Sequence, residues 1–279
     1  MYSRPRSIEE AVAAMAGAEA LLLCGGTDVF PAHAGRPLSR PVVDLSGIAA
    51  LRGISREGSV IRIGGTTTWT DIINAALPAA FDGLKAAARE VGSIQIQNRG
   101  TIAGNLCNAS PAADGVPPLL TLDAQVELMS SRGKRVMPLA EFITGYRKTA
   151  LAADEMLGAV LVPEPSPRAA SSFVKLGSRR YLVISILMAA SVIERGPDGK
   201  ISKATLAIGA ASPVAQRLRQ LERDLVGLAP GIAPSIMIRP HHLERLAPID
   251  DVRATAAYRL EAAMVIAGEA LDLAAGAKP

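Results

Sequence analysis

The sequence contains few aromatic residues and few cysteines, and both shortages exclude classes of function. Phe, Trp and Tyr make up 3% of the 279 residues, so the alternation of aromatic and basic side chains that binds single-stranded nucleic acid is missing. The two cysteines, Cys24 and Cys107, are too few for an iron–sulfur cluster, which ordinarily takes four thiolates. We expect no nucleic-acid partner, and any iron–sulfur centre would lie on another chain.

Long apolar runs are also missing. The longest, residues 181–193, is interrupted by serines and is shorter than the roughly 20 residues that a membrane helix needs. The first residues lead into Glu9 and Glu10 rather than into the apolar segment of a secretory signal. The net charge of +4 comes from scattered Arg and Lys. We therefore expect that the protein does not insert into a membrane. We also expect a cytoplasmic location, with both cysteines reduced.

Residues 101–114 combine glycine with small hydroxyl and amide side chains. Gly104 lets the backbone approach a polar ligand, and Thr101 and Asn105 supply hydroxyl and amide groups. A series of free backbone N–H groups holds phosphate without a lysine, and this stretch contains no Lys or Arg. The pattern is typical of an anion-binding loop, and the alternative is a tight surface loop with an Asn/Ser/Pro turn.

A second glycine-containing stretch follows an apolar segment. Leu21, Leu22 and Leu23 predict a buried strand that runs into two glycines and then a helix, which is another anion-binding layout. The stretch has neither the G-x-G-x-x-G of a dinucleotide fold nor the G-K-S/T of a P-loop. We expect residues 24–29 (the first glycine loop) and residues 101–105 (the second glycine loop) to hold one diphosphate from two sides.

Both loops resemble those of the FAD-binding subunits of molybdenum hydroxylases, a family that includes the medium subunit of carbon monoxide dehydrogenase and the flavin domain of xanthine oxidase. The first glycine loop is similar to the family's A-G-G-x-S/D loop. The second is similar to its T-I-G-G-N loop, with Ala103 in place of the first glycine. The resemblance covers nearly the whole chain and includes residues 63–68, 146–149 and 175–180.

The resemblance implies which residues contact the cofactor. The two glycine loops would hold the FAD diphosphate, Asp114 would make a polar contact, and Val91 matches an apolar position near the cofactor. Tyr181 would cover the flavin ring, and the alternative is a tyrosine at a strand edge with its hydroxyl in water. No catalytic residue or metal ligand is predicted. The predicted cofactor-binding residues are Leu22, Leu23, Cys24, Gly25, Gly26, Thr27, Asp28, Val29, Val91, Thr101, Ile102, Ala103, Gly104, Asn105, Ser110, Asp114 and Tyr181.

The resemblance also implies a function and partners. We expect an oxidoreductase subunit with noncovalent FAD that passes electrons from the 2Fe–2S clusters of a small subunit to an acceptor. Molybdopterin would be held by a large molybdenum subunit, and the complex would be a dimer of heterotrimers. Because a flavin supplies its own redox chemistry, no catalytic triad is needed. The alternatives are a self-sufficient flavin oxidase or reductase of related fold and a scaffold subunit without flavin.

The predicted fold class is α+β. By resemblance, residues 1–165 form a two-subdomain FAD-binding fold of the PCMH/vanillyl-alcohol-oxidase type, with subdomains of about 1–55 and 56–165. Residues 168–279 form a C-terminal flavoprotein domain after the proline-rich linker at 163–167. The apolar patterns predict three antiparallel strands in this domain, with helices on one face. The strands are predicted at 171–176, 183–194 and 203–210, and the helices at 214–226 and 252–274. In residues 1–165 the pattern also predicts helices at 27–34 and 139–145 and hairpin turns at 57–59 and 132–134.

Three histidines are open to more than one interpretation. His33 falls in the helix predicted after the first glycine loop, where some related flavoproteins attach FAD covalently, but a lone histidine is more often packed or solvated. His241 and His242 suggest a metal site. No nearby cysteine or carboxylate in the sequence completes such a site, so we favour a structural role.

Overall fold

The computed structural model describes residues 1–16 and 19–276. No helix of these residues is long and apolar enough to cross a bilayer. The strands are β1 (Tyr2–Ser3), β2 (Leu21–Leu23), β3 (Val42–Asp44), β4 (Ile54–Glu57), β5 (Val60–Gly64), β6 (Gln125–Ser130), β7 (Gly133–Pro138), β8 (Ile143–Gly145), β9 (Lys148–Thr149), β10 (Met156–Pro163), β11 (Ala169–Leu176), β12 (Leu187–Arg195), β13 (Ile201–Gly209) and β14 (Gln216–Arg217).

The helices are short except for the last. They are α1 (Ile8–Met15), α2 (Val29–Ala32), α3 (Trp69–Asn74), α4 (Asp82–Glu90), α5 (Ile94–Gln97), α6 (Ile102–Asn108), α7 (Val116–Thr121), α8 (Leu139–Phe142), α9 (Arg219–Asp224) and α10 (Ala256–Ala274). Single turns of 3-10 helix lie at Leu45–Gly47, Ala49–Leu51, Ala79–Phe81, Pro234–Met237 and Pro240–Leu243.

The chain forms two compact units, and each contains segments from distant parts of the sequence. Unit 1 consists of Met1–Ala75, Ser93–Ala109 and Ala124–Pro163. Unit 2 consists of Ala76–Gly92, Ser110–Asp123 and the residues from Glu164 onward. The mixture of helices and strands confirms the predicted α+β class.

Unit 1 begins with a small parallel sheet in the order β1-β3-β2. The apolar residues of β2 pair with β3, with Leu21 opposite Val42 and Leu23 opposite Asp44. Parallel neighbours need a crossover connection, and α2 lies in it. The helix predicted over 27–34 is therefore present but shorter, because α2 is preceded by the N-cap residue Asp28 and ends at Ala32.

A five-stranded antiparallel sheet in the order β4-β5-β10-β6-β7 makes up the rest of unit 1. Its fully buried residues include Ile63, Val126 and Val160. The turns predicted at residues 57–59 and 132–134 close the β4–β5 and β6–β7 hairpins. The helix predicted over 139–145 is only half right, because α8 ends at Phe142 and the next residues form β8.

Unit 2 contains an antiparallel sheet in the order β11-β12-β13-β14. Its first three strands form the predicted meander, and the two-residue β14 adds a fourth strand that the sequence pattern did not indicate. The long helix α10 packs on this sheet. Its buried residues Ala263, Ala267 and Leu271 lie in one core with Leu187 and Leu206 of the strands.

Several predicted boundaries in unit 2 are wrong for local reasons. The strand predicted from 183 begins at Leu187, and Leu182, just before the predicted start, has a left-handed backbone with φ of 53°. The helix predicted over 214–226 is interrupted by β14 and begins at Arg219. The helix predicted from 252 begins after Thr255, whose hydroxyl accepts from the Tyr258 N–H and caps the helix.

Asp251 connects two arginines next to the start of α10. Its carboxylate accepts from Arg253 Nη2 at 2.6 Å and from the buried Arg259 Nη2 at 2.7 Å. The Arg253 hydrogen bond is the main reason why the pKa of Asp251 lies well below its ordinary range. A carboxyl with a lowered folded-state pKa stabilises the fold above its unfolded pKa, and this stability is lost as pH falls towards the folded pKa.

We predict that Asp251→Asn lowers the melting temperature at pH 7 by roughly 2–4 °C. The difference from the wild type should shrink as pH falls below about 4, the unfolded pKa of aspartate. Thermal unfolding at a series of pH values measures both effects. Asp198→Asn is the matched control, because Asp198 is an exposed carboxylate 3.9 Å from Lys200. A pH-independent difference for Asp251→Asn would contradict the prediction.

Candidate functional site

The first glycine loop packs tightly against the backbone that precedes the second. A Cβ atom on Gly25 would lie 1.8 Å from the Arg99 carbonyl oxygen, so no larger residue fits there without moving one of the two segments. Gly26 has φ of +71°, a backbone angle that favours glycine. The glycines are therefore required for two different reasons, a close backbone approach and a left-handed turn.

The backbone of the first glycine loop leaves its donors unused. The N–H groups of the five successive residues 25–29 donate no hydrogen bond to any atom of residues 1–16 and 19–276. Gly26 is buried, and buried N–H groups without a partner are rare in folded proteins. A run of free N–H groups in a turn forms a concave anion-binding surface.

The second glycine loop has a different structure from the one predicted. Residues 102–105 form the first turn of α6, and their N–H groups already have partners. Ile102 donates to Thr67 O at 3.0 Å and Ala103 donates to Gly65 O at 3.0 Å. Gly104 donates to Thr101 Oγ1 at 3.2 Å. The prediction of a series of free N–H groups is therefore wrong for this loop.

The second glycine loop presents an amide oxygen, at Asn105, and open space for a ligand, at Gly104. Asn105 Oδ1 is buried and has no hydrogen-bond partner among the described residues. Gly104 is exposed, and a Cβ atom there would meet only Thr101 Oγ1, at 3.0 Å. The Asn105 amide oxygen and the open space at Gly104 can therefore receive a ligand. The backbone N–H groups of residues 102–104 cannot, because they already have partners.

Both cysteines are free thiols. Burial raises the pKa of Cys24 to about 11, while a hydrogen bond with Thr101 opposes the rise. The Cys24 thiol is therefore protonated near neutral pH, which makes it a poor nucleophile. Its contact with Thr101 is a further link between the two glycine loops.

A second polar cluster lies within unit 2 around Asp114. Lys175 donates to Asp114 Oδ2 at 2.7 Å, and Ser185 donates to Asp114 Oδ1 at 2.6 Å. Lys175 also donates to the Glu90 carbonyl oxygen at 3.1 Å. Burial raises the pKa of Asp114, while Lys175 and Ser185 lower it. The cluster is a buried ion pair in which both carboxylate oxygens are hydrogen-bonded.

Comparison with known proteins finds two family models that together match most of this chain. Residues 1–165 match the family described as the FAD binding domain in molybdopterin dehydrogenase. Residues 172–274 match the CO dehydrogenase flavoprotein C-terminal domain. The chain belongs to this flavoprotein family. The family assignment made from the two glycine loops is confirmed.

Individual members of the family are similar over most of their length. The xanthine dehydrogenase FAD-binding subunit of Escherichia coli is 33% identical over 264 residues, which cover 93% of this chain and 90% of that protein. The nicotinate dehydrogenase FAD-subunit of Eubacterium barkeri is 35% identical over 235 residues, covering 81% and 79%. The solved carbon monoxide dehydrogenase of Hydrogenophaga pseudoflava, in a form lacking the Mo-pyranopterin moiety, superposes with a TM-score of 0.90 at 28% identity, covering 100% and 98%.

The predicted cofactor-binding residues of this flavoprotein are divided between the two units. The group in unit 1 contains both glycine loops with the end of β2, where Leu23 is buried. The group in unit 2 contains Asp114, Val91 and Ser110. Val91 follows α4 as its C-cap residue, and Ser110 Oγ accepts from the Ala112 N–H at 3.3 Å.

Tyr181 lies in an exposed part of unit 2. Its side chain is 66% exposed, the Arg180 guanidinium lies 5.1 Å from its ring centroid, and its carbonyl accepts from Arg179 Nε at 2.9 Å. The hydrogen bonds that the structure describes in the Asp114 cluster do not involve Tyr181. Both interpretations of this tyrosine, ring cover and solvated side chain, require an exposed ring, so its role stays a prediction.

The histidines have structural partners. His33 follows α2, and its Nδ1 lies 2.8 Å from the Val29 carbonyl oxygen. His242 Nδ1 accepts from the Arg239 N–H at 3.0 Å, which leaves Nε2 to donate to Asp224 Oδ2 at 2.9 Å. A carboxylate does lie near this histidine pair, contrary to the prediction, because the fold brings Asp224 to it. A structural role still fits, since both ring nitrogens of His242 are occupied.

Two polar residues of the Asp114 cluster were not among the predicted site residues. Lys175 is the only charged residue in β11, and its side chain is 6% exposed. A lysine between Val174 and Leu176 in an apolar strand is the signal that could have identified it. Ser185 is fully buried, but a single serine after an exposed loop gives no comparable signal.

Proposed function

We propose that this chain is the FAD-binding electron-transfer subunit of a molybdenum-containing hydroxylase or dehydrogenase, in which the first glycine loop receives the FAD diphosphate. The observation that carries the proposal is the run of five free N–H groups at residues 25–29, one of them on the buried Gly26. A diphosphate supplies the acceptors that the protein does not supply. The family and its named members support FAD as the ligand.

The described residues fit this cofactor. The orphaned Asn105 Oδ1 can accept a hydrogen bond from the cofactor, and the exposed Gly104 leaves space for it. Membership of the family supports cofactor contacts for the remaining predicted residues. When bound, the flavin supplies reversible hydride and electron transfer. The protein's residues bind and orient it.

In unit 2 we propose that the Asp114 carboxylate makes a polar contact with the cofactor. Its two oxygens are held by Lys175 and Ser185 at 2.7 and 2.6 Å, so the side chain has little freedom to rotate. A fixed carboxylate accepts a hydrogen bond from a ligand at a smaller entropic cost than a mobile one. Lys175 and Ser185 therefore orient Asp114.

We further propose that the subunit works in a complex. Family members are named as FAD-binding subunits or medium chains of xanthine, nicotinate and carbon monoxide dehydrogenases. Two cysteines cannot hold the iron–sulfur clusters that would deliver electrons. A small 2Fe–2S subunit and a large molybdenum subunit would complete the enzyme as a dimer of heterotrimers in the cytoplasm. Residues 1–165 and 168–279 would be its two family domains.

The test is the flavin content of the chain purified from its native host. We expect one FAD per chain, released into the supernatant by acid or heat precipitation because no covalent bond is formed. Metal analysis of the co-purifying proteins should show iron and molybdenum. Chromatography of the supernatant distinguishes FAD from FMN, and release of FMN would contradict the diphosphate site.

Three other outcomes would contradict parts of this proposal. Flavin that stays with the precipitated protein would show covalent attachment. A lone chain that is fully active without iron or molybdenum would be a self-sufficient flavoenzyme. A folded chain without any flavin would be a scaffold subunit, and the binding role of the first glycine loop would then be wrong.

A further inference from the structure

Arg147 contacts elements at both glycine loops, although it lies far from them in the sequence. Its Nη1 donates to Asp28 Oδ2 of the first glycine loop at 2.9 Å. The same nitrogen also donates to Asn108 Oδ1, at the end of the helix that begins with the second glycine loop. The Arg147 N–H donates to the Ala109 carbonyl oxygen at 3.0 Å. One residue therefore connects the two elements that form the proposed diphosphate site.

The backbone around this contact is held in an unfavourable conformation. Arg147 has φ of 54° and Ala109 has φ of 46°, although neither residue is glycine. Left-handed backbone angles at residues with a Cβ cost free energy and persist where surrounding contacts hold them. The hydrogen bond between Arg147 and Ala109 joins the two strained residues. Strain on both sides of one contact indicates that the position of Arg147 is closely fixed.

The positive charge of Arg147 also compensates the negative charge of the Asp28 carboxylate. Asp28 belongs to the run of residues 25–29 whose free N–H groups we assign to the diphosphate, and its side chain caps no helix N–H. An unpaired carboxylate at this position would repel an anionic ligand, since like charges a few ångströms apart interact unfavourably. The guanidinium of Arg147 compensates that charge and leaves the N–H groups available.

We propose that Arg147 is a positioning residue for FAD, which acts on the first glycine loop through Asp28 and fixes that loop to the end of α6. The inference rests on the proposed function, because the diphosphate site is the one assigned above. Arg147 itself need not touch the cofactor. Its removal should therefore affect how strongly FAD is held without changing the environment of the flavin ring.

The experiment measures FAD dissociation from the full chain for Arg147→Gln, Arg147→Lys, Asp28→Asn and the double variant Asp28→Asn/Arg147→Gln. We expect Arg147→Gln to weaken FAD binding roughly tenfold, a typical effect of losing a charged hydrogen bond. Arg147→Lys should be intermediate, because it keeps the charge but not the planar fork. The double variant should lose no more than Arg147→Gln alone, because Arg147 acts through Asp28.

Two further measurements distinguish a positioning role of Arg147 from an effect on the stability of the fold. The visible absorption and circular dichroism of the bound flavin should be unchanged in Arg147→Gln, and FAD-dependent protection from amide hydrogen exchange at residues 25–29 should be weaker than in the wild type. Arg132→Gln is the matched control, because Arg132 is an exposed arginine of the same unit paired with Asp154. It should bind FAD as the wild type does.

The outcomes distinguish this inference from the function on which it rests. A wild-type chain that binds no FAD makes the proposed function wrong, and the role of Arg147 falls with it. A wild type that binds FAD while Arg147→Gln binds it equally well overturns only the inference. Additive losses in the double variant, or an equal loss in Arg132→Gln, would also overturn it. Should Arg147→Gln fail to fold, Arg147→Lys and Asp28→Asn test the same contact.

Discussion

A chain carrying Gly104→Val should fold and contain no FAD. Gly104 is exposed, and a Cβ atom there would meet only Thr101 Oγ1, at 3.0 Å, so the fold can accept a side chain. Valine also has a better helix propensity than glycine, so α6 should not be weakened. The new methyl groups would occupy the space that we assign to the cofactor. Flavin absorbance per folded chain, measured beside far-ultraviolet circular dichroism, gives the result.

Other glycines provide the controls for this prediction. Gly196 in unit 2 has a similar environment, since a Cβ atom there would also meet a side-chain oxygen at 3.0 Å, that of Asp198. Gly196→Val should therefore keep its FAD. Gly25→Val should lose both FAD and stability, because its side chain would collide with the Arg99 carbonyl. A Gly104→Val chain with a full FAD content would remove this residue from the proposed site.

The second large effect is expected at the buried ion pair of unit 2. The side chains of Lys175 and Asp114 are 6% and 8% exposed. Lys175→Met would leave the Asp114 carboxylate buried without its cation. Breaking such a pair by removing one partner costs about 3–5 kcal/mol of folding free energy. Chemical denaturation of the variant should show this loss directly.

Two variants test whether the loss comes from the unpaired charge. Lys175→Met combined with Asp114→Asn should recover part of the stability, because a neutral amide is less costly to bury than an unpaired carboxylate. Lys203→Met removes an exposed lysine of the same unit that pairs with Asp123 at 2.8 Å. A surface pair of this kind contributes about 0–1 kcal/mol. An equally small loss for Lys175→Met would show that the ion pair is not a main source of stability.

The sequence predicted elements whose signal is local. The apolar residues of β2 and the glycine turn after them predicted a strand, and the hairpins around residues 57–59 and 132–134 were indicated by their turn residues. The three strands of the unit 2 meander were also predicted. Each of these signals lies within a few residues, so no knowledge of the fold was needed.

The second glycine loop shows where local signals fail. Small polar residues favoured an open loop, but Thr101 caps a helix and Ile102 and Leu106 are buried on its inner face. The deciding contacts are the hydrogen bonds from residues 102 and 103 to the carbonyls of Thr67 and Gly65. Their partners are more than 30 residues away, so no pattern within the loop could show them.

The same limit applies to charged groups. Asp114 was predicted from the resemblance, but its cation Lys175 is 61 positions away and its donor Ser185 is 71 positions away. Asp224 near His242 lies 18 positions away, which is why no carboxylate was expected there. A charged residue in an apolar stretch can be recognised from the sequence as a candidate for a site. The fold alone determines which distant residue pairs with it.

The interleaving of the two units affects where the chain can be divided. The family matches meet near residues 165–172, but segments Ala76–Gly92 and Ser110–Asp123 pack with the part of the chain that begins at Glu164. A fragment ending at Pro165 would therefore expose the buried side chains of α4 and α7, including Leu84 and Leu119, to water. Such a fragment would be prone to aggregation. The two segments that match family models therefore do not coincide with the two compact units of the fold.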